Sequence, residues 1–177
     1  MRIAVFCGSS SGTAAAYDAA ARDLADALVA RGHGLVYGGA SVGLMGVLAD
    51  AVLERGGEVI GVIPDGLFER EIAHPGLTEM IAVTSLTERK AVMAGLADAF
   101  VALPGGYGTL DELFEMVTWA QLGVHEKPCF LLDVDGFWSH LTRFLEHAAD
   151  EGFIRTSIAS FDDTNELLAQ IERAHQS

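Results

Sequence analysis

The stretch RIAVFCGSSSG, Arg2 to Gly12, decides the fold. From Ile3 to Cys7 it is apolar without polar alternation, the pattern of a strand buried on both faces, hence of a parallel sheet between helices. It runs directly into glycine and three serines, a turn whose backbone amides a ligand can approach closely. Working outward, AFVAL (99–103) and CFLL (129–132) repeat the fully apolar pattern. Further strands are expected at 34–37, 58–63 and 81–84. Helical patterns fall between them at 14–31, 44–55, 86–97, 110–122 and 137–150, and a last helix at 165–175 follows Thr164 as N-cap. Strand and helix alternate throughout without linker or repeat. The reading is one doubly wound α/β domain over 1–177, mainly parallel, with helices on both faces. Ligands of such sheets bind beyond the carboxyl ends of the strands, where the strand order reverses.

Composition narrows the function classes. Half of the 177 residues are hydrophobic, and no apolar run approaches the roughly 20 residues of a membrane span. The N-terminus passes straight into a strand, so no signal peptide is expected and the expected location is cytoplasmic. Cys7 and Cys129 lie in separate apolar runs, as buried free thiols would. Net charge is −14, from 25 acids against 11 Lys and Arg. That surface disfavours nucleic acid and anionic membrane as partners. An anionic ligand would need a local site of backbone amides and a few placed cations.

Three glycine-rich turns follow strands: FCGSSSG after the first, YGGASVGLMG after the second and LPGGYGT after the fifth. An amide-rich turn feeding a helix N-terminus is a natural anion site. One alone could be a tight connection; three on one rim of one sheet point to a site. Neither the dinucleotide fingerprint nor the lysine-bearing phosphate loop is complete, which disfavours a nicotinamide enzyme or an ATPase.

Acids and bases cluster near that rim. Thr109 to Glu112 has the form of a capping box, Thr capping and Glu reaching back. Beside an anion cradle, however, Glu112 should address something neutral, such as sugar hydroxyls or water. Glu115 and Thr118 follow at helical spacing, with Leu113, Val117 and Ala120 expected as the buried stripe. Ser85 and Glu88 form a second capping box. Arg89 and Lys90 then occupy the first turns of a helix, where the helix dipole disfavours cations. Arg89 shares the stripe of Val92 and Met93, and Lys90 lies about 100° away. Glu71 sits in a polar loop, and His74 is readable as a loop hydrogen-bonder or as a catalyst. No Cys/His cluster has metal-ligand spacing, and neither metal nor cofactor is expected.

Together VFCGSSSG, YGGASVGLMG, REIAHPGLTE, ERKAVM and PGGYGTLDELFE resemble the Lonely Guy family of cytokinin riboside 5'-monophosphate phosphoribohydrolases, whose members were often labelled lysine decarboxylases. The resemblance implies a Rossmann-like fold and hydrolysis of the N-glycosidic bond of N6-modified adenosine monophosphate, with AMP a poorer substrate. It implies that Gly105, Gly106, Tyr107, Gly108 and Thr109 take the phosphate, that Arg89 and Glu112 are catalytic, and that Lys90, Glu71 and Thr118 contact substrate. Gly8 and Ser9 of the first turn are added as substrate-binding residues. A homodimer with its site near the interface is also implied. Leu86-Thr87 replaces a common Met-His, and Ala40 replaces a common third glycine. The competing expectation is a non-catalytic carrier of a phosphorylated ligand, like the molybdenum cofactor carriers, which would not need the Arg89–Glu112 pair.

Overall fold

Strand β1 (Arg2–Phe6) is the central strand. The computed structural model describes residues 1–65, 73–155 and 157–176. The other strands are β2 (Gly34–Tyr37), β3 (Val59–Pro64), β4 (Glu79–Val83), β5 (Ala99–Ala102), β6 (Cys129–Leu132) and β7 (Ala159–Phe161). They form one sheet in the order β4-β3-β2-β1-β5-β6-β7 with every adjacent pair parallel. The chain lays β2, β3 and β4 outward on one side of β1, then returns to place β5 on the other. The order therefore reverses between β1 and β5, where the connecting loops diverge and leave a crevice. In that register Val5 faces Val101 and Phe6 faces Ala102, so both strands end level at the rim.

The period of two along β1 distributes its side chains between two cores. Ile3, Val5 and Cys7 join the buried faces of α1 (Ala15–Ala30), α2 (Gly43–Glu54) and α6 (Thr164–His175). Ala4 and Phe6 join α3 (Leu86–Leu96), α4 (Tyr107–Gln121) and α5 (Ser139–Asp150). Phe6 stacks on Phe100 across the β1–β5 pair, with ring centroids 6.0 Å apart. Fully buried leucines such as Leu24, Leu28 and Leu48 each contribute about 1.5–3 kcal/mol. This double packing holds the three glycine turns on one edge.

Some local expectations change. Helix α4 starts at Tyr107, three residues before the expected Leu110, with Gly106 as its N-cap and no side-chain cap. Thr109 is thus inside the first turn and buried, so Thr109 and Glu112 form no capping box. The buried stripe of α4 is Thr109, Leu113 and Met116; Val117 and Ala120 flank it, half-buried. Helix α6 is capped by Asp163, whose carboxylate accepts from the Glu166 amide at 2.8 Å, and Thr164 is its first helical residue. Strand β7 was not anticipated. Its three residues, two of them exposed, carry no apolar run, and pairing with β6 alone makes them a strand.

Candidate active site

Helix α3 begins where sequence predicts. Ser85 Oγ accepts from the Glu88 amide at 3.1 Å, and Glu88 accepts from the amide of Thr84 at 2.7 Å and its hydroxyl at 2.6 Å. The Thr84 hydroxyl and amide hold the Glu88 carboxyl below its ordinary range. This double cap fixes the first turn and so the direction of Arg89. Its side chain crosses the carboxyl ends of two strands: Nε donates to the Val62 carbonyl and Nη2 to the Gly38 carbonyl, each at 3.0 Å. Nη1 lies 3.9 Å from Glu112 Oε1, and both side chains are largely buried, 8% and 14% exposed. Gly38 must be glycine here, because a Cβ would fall on the guanidinium.

The glycine turns interlock beside this pair. The Gly8 amide donates to the Pro104 carbonyl at 3.1 Å, closing the floor of the β1–β5 switch, and the Met45 amide of α2 reaches the Gly8 carbonyl at 3.4 Å. A side chain at Gly105 would collide with the buried Thr109 hydroxyl. A crevice of about 300 Å³ opens above, lined by Gly8 to Gly12, Tyr17, Leu44, Pro104 to Gly106 and Phe137. Gly106, Tyr107 and Gly108 are exposed at the start of α4. First-turn amides have no partner inside a helix, so those of Tyr107, Gly108 and Thr109 suit an anion.

Lys90 takes a different course. Its Nζ is 2.8 Å from Asp111 Oδ2 and also meets Glu115, with the side chain only 13% exposed. Burial lowers the ammonium pKa, but the bonds to Asp111 and Glu115 outweigh it and hold the group above its ordinary value. Thr118 is exposed, six residues and about 9 Å of helix rise beyond Glu112, and is not brought to the pair within this chain. Ser9 is exposed on the crevice, and Glu71 lies outside the described residues. His74 is a loop hydrogen-bonder: its backbone amide donates to Gly39, and its Nδ1 accepts from the Gly76 amide at 3.2 Å. The ring proton therefore sits on Nε2, which faces Asp50 at 2.9 Å.

Sequence reasoning did not find the carbonyls of Gly38 and Val62, which hold Arg89, because backbone acceptors leave no compositional trace. Nor did it bring the buried Cys7 within the influence of both charges. Burial pushes that thiol well up, the Glu112 charge adds to the effect and Arg89 opposes it, so Cys7 stays a neutral thiol. Among the described residues no group of three or more His, Cys, Asp or Glu could hold a metal ion.

Residues 45–171 match the family model described as "Possible lysine decarboxylase". The chain is 51% identical over 175 residues to cytokinin riboside 5'-monophosphate phosphoribohydrolase LOG5 of Arabidopsis thaliana, covering 97% of this chain and 77% of that protein. Identity is 53% to LOG7 of the same plant, with 97% and 81% covered, and 51% to LOG of Oryza sativa subsp. japonica, with 97% and 72% covered. The chain belongs to the Lonely Guy family. Its fold extends further. The molybdenum cofactor carrier protein of Chlamydomonas reinhardtii superposes with TM-score 0.74 at 23% identity, covering 99% and 98% of the two chains. The molybdenum cofactor binding protein of Rippkaea orientalis gives 0.72 at 20%, covering 97% and 95%. These likenesses are of fold alone. Of the two departures from the Lonely Guy pattern, Leu86 is exposed at the start of α3. Ala40 is fully buried, its carbonyl accepting from the Tyr37 hydroxyl at 3.0 Å.

Proposed function

We propose that this protein hydrolyses the N-glycosidic bond of cytokinin riboside 5'-monophosphates, and of AMP, to free base and ribose 5-phosphate. The observation that carries the reading is the Arg89–Glu112 pair, 3.9 Å apart and largely buried, beside an amide-rich helix start. The curated relatives named for this activity add to it. Cleavage passes through an oxocarbenium-like state, positive at the ribose while the base departs with the bonding electrons. Phosphate sits on the amides of Tyr107, Gly108 and Thr109, beside Gly105 and Gly106, with Gly8 and Ser9 forming the facing wall. Glu112 then stabilises the cationic ribose and orients the water whose oxygen bonds to C1'. The proton lost by that water balances the one gained by the base. Arg89, always protonated, fixes the phosphoribosyl group and Glu112 and is no proton donor. Glu71 and Thr118 complete the substrate contacts in a homodimer whose partner lies near the site. The exposed Leu122 and Val124 just beyond Thr118 support such a contact.

The test is incubation with AMP and isopentenyladenosine monophosphate, followed by chromatography for free base. Release from both by the wild type, and from neither by Glu112→Gln or Arg89→Ala, is the expected result. Tight phosphate-ligand binding without base release would instead support the carrier reading, and sedimentation shows whether the active species is a dimer.

A further inference from the structure

Three successive carbonyls of the β2–α2 turn are each taken by a different donor. Gly38 accepts from Arg89 Nη2 at 3.0 Å, Gly39 from the His74 amide at 2.9 Å and Ala40 from the Tyr37 hydroxyl at 3.0 Å. Two consecutive glycines give this turn little stiffness of its own, so whatever holds it also holds the anchor of Arg89. The segment ahead of β4 is such a holder. Ala73 pairs with Ala40 in an antiparallel bridge, next to the His74–Gly39 bond. Pro75 confines His74 to extended backbone, the conformation such pairing needs. The His74 side chain is 7% exposed, and both ring nitrogens are engaged. Nδ1 accepts from the Gly76 amide, which shapes its own loop, and Nε2 donates to Asp50 on α2, the helix into which the turn leads. One residue thus ties together its loop, the turn and the following helix.

We infer that His74 is a positioning residue: by pinning the segment ahead of β4 to the β2–α2 turn and to α2, it fixes the Gly38 carbonyl and through it the Arg89 guanidinium. The inference rests on the catalytic reading of Arg89. A residue serving stability alone would lower the melting point and leave the turnover of folded enzyme intact. One acting through Arg89 lowers kcat, and its effect vanishes once Arg89 has been displaced by other means.

The experiment measures kcat for base release from saturating AMP, with circular dichroism, on His74→Leu, His74→Asn, His74→Gln, Gly38→Ala, Gly38→Ala/His74→Leu and Arg89→Ala. His74→Leu removes both ring bonds. Misplacement of a catalytic group by about 1 Å costs on the order of 100-fold, so kcat should fall about 10- to 100-fold. His74→Asn keeps an acceptor for the Gly76 amide, as in an Asx turn, and His74→Gln keeps a donor toward Asp50. Each should turn over at least about threefold faster than His74→Leu and slower than wild type. In the Gly38→Ala background a methyl already displaces Arg89. There His74→Leu should cost less than about threefold further, because both changes act through one side chain. Wild-type kcat in the His74 variants, or a full additional loss on the Gly38→Ala background, overturns the inference. If His74→Leu does not fold, His74→Asn and His74→Gln carry the same comparison, alone and with Gly38→Ala. Full activity in Arg89→Ala instead overturns the catalytic reading itself, whatever the His74 variants do.

Discussion

The sheet carries an arginine–glutamate pair at each edge, and the two are built in opposite ways. At the amino edge Arg2 and Glu58 form a bidentate pair, with Nε–Oε2 at 3.0 Å and Nη2–Oε1 at 2.9 Å, and both side chains are about 40% exposed. They line the wide cleft of about 590 Å³ together with His33, Gly34 and Asp98. At the carboxyl edge Arg89 stands 3.9 Å from Glu112, nearly excluded from solvent, and takes its close bonds from backbone carbonyls. The amino-edge pair has the better mutual geometry and the larger cavity. It lacks what chemistry needs. Water competes for both of its partners, and each takes its close side-chain hydrogen bonds from the other and not from the backbone of the sheet. Arg89 is positioned by the sheet, so its place does not depend on Glu112, which is the preorganisation that catalysis requires.

The sharpest way to break the comparison is to neutralise each glutamate. Glu112→Gln should lower base release from AMP by on the order of 1,000-fold or more, as loss of a transition-state group does, whereas Glu58→Gln should leave the rate unchanged. Comparable rates for the two would dissolve the distinction.

The next largest effect comes from a matched pair of glycines. A methyl at Gly38 would occupy the Arg89 guanidinium, which is buried and cannot retreat. Gly38→Ala should lower kcat on the order of 100-fold by shifting Arg89. A methyl at Gly34 meets chiefly the tip of Glu58, which is free to swing into solvent. Gly34→Ala should therefore keep full activity, and steady-state kinetics on both variants decides the point.

Stability should follow the same division. Removing one partner of a buried pair leaves the other charge uncompensated, so Arg89→Met should cost about 3 kcal/mol in urea melts. Arg2→Met should cost clearly less, because solvent already screens that pair.

The smallest effect is one of pH. The hydrogen bond from Arg2 holds the Glu58 carboxyl below its ordinary range. Its contribution is thus present above the unfolded value of about 4.3 and lost as pH falls through the lower folded value. With that much exposure it should amount to no more than about 0.5 kcal/mol. The melting temperatures of wild type and Glu58→Gln should accordingly converge between pH 5 and pH 3, taking those as roughly the bounds of the titration.

Much of this was legible in the residues. RIAVFC, AFVAL and CFLL read as buried parallel strands because burial on both faces leaves no alternation, and the three glycine turns therefore had to share one edge. Ser85-Leu86-Thr87-Glu88 placed the start of α3 correctly, since the cap is local chemistry. The start of α4 was misplaced for the same reason in reverse. Gly106 caps it without a side chain, and Thr109, which has the composition of a cap, is buried against Gly105. Strand β7 had no local signal, since its pairing partner supplies its structure.

What the sequence determined by itself was the kind of chemistry: an acidic chain with a few cations, amide-rich turns and one carboxylate set beside them. Periodicity and residue type carry that information, because they act over a single turn or strand. Only the tertiary structure decided how the cations divide their work. Helical spacing placed Arg89 and Lys90 about 100° apart but was silent on what each side would face. Packing α3 against both the strand ends and α4 sent Arg89 to the carbonyls of Gly38 and Val62 and Lys90 to Asp111 and Glu115, contacts that span between 21 and 51 residues of chain.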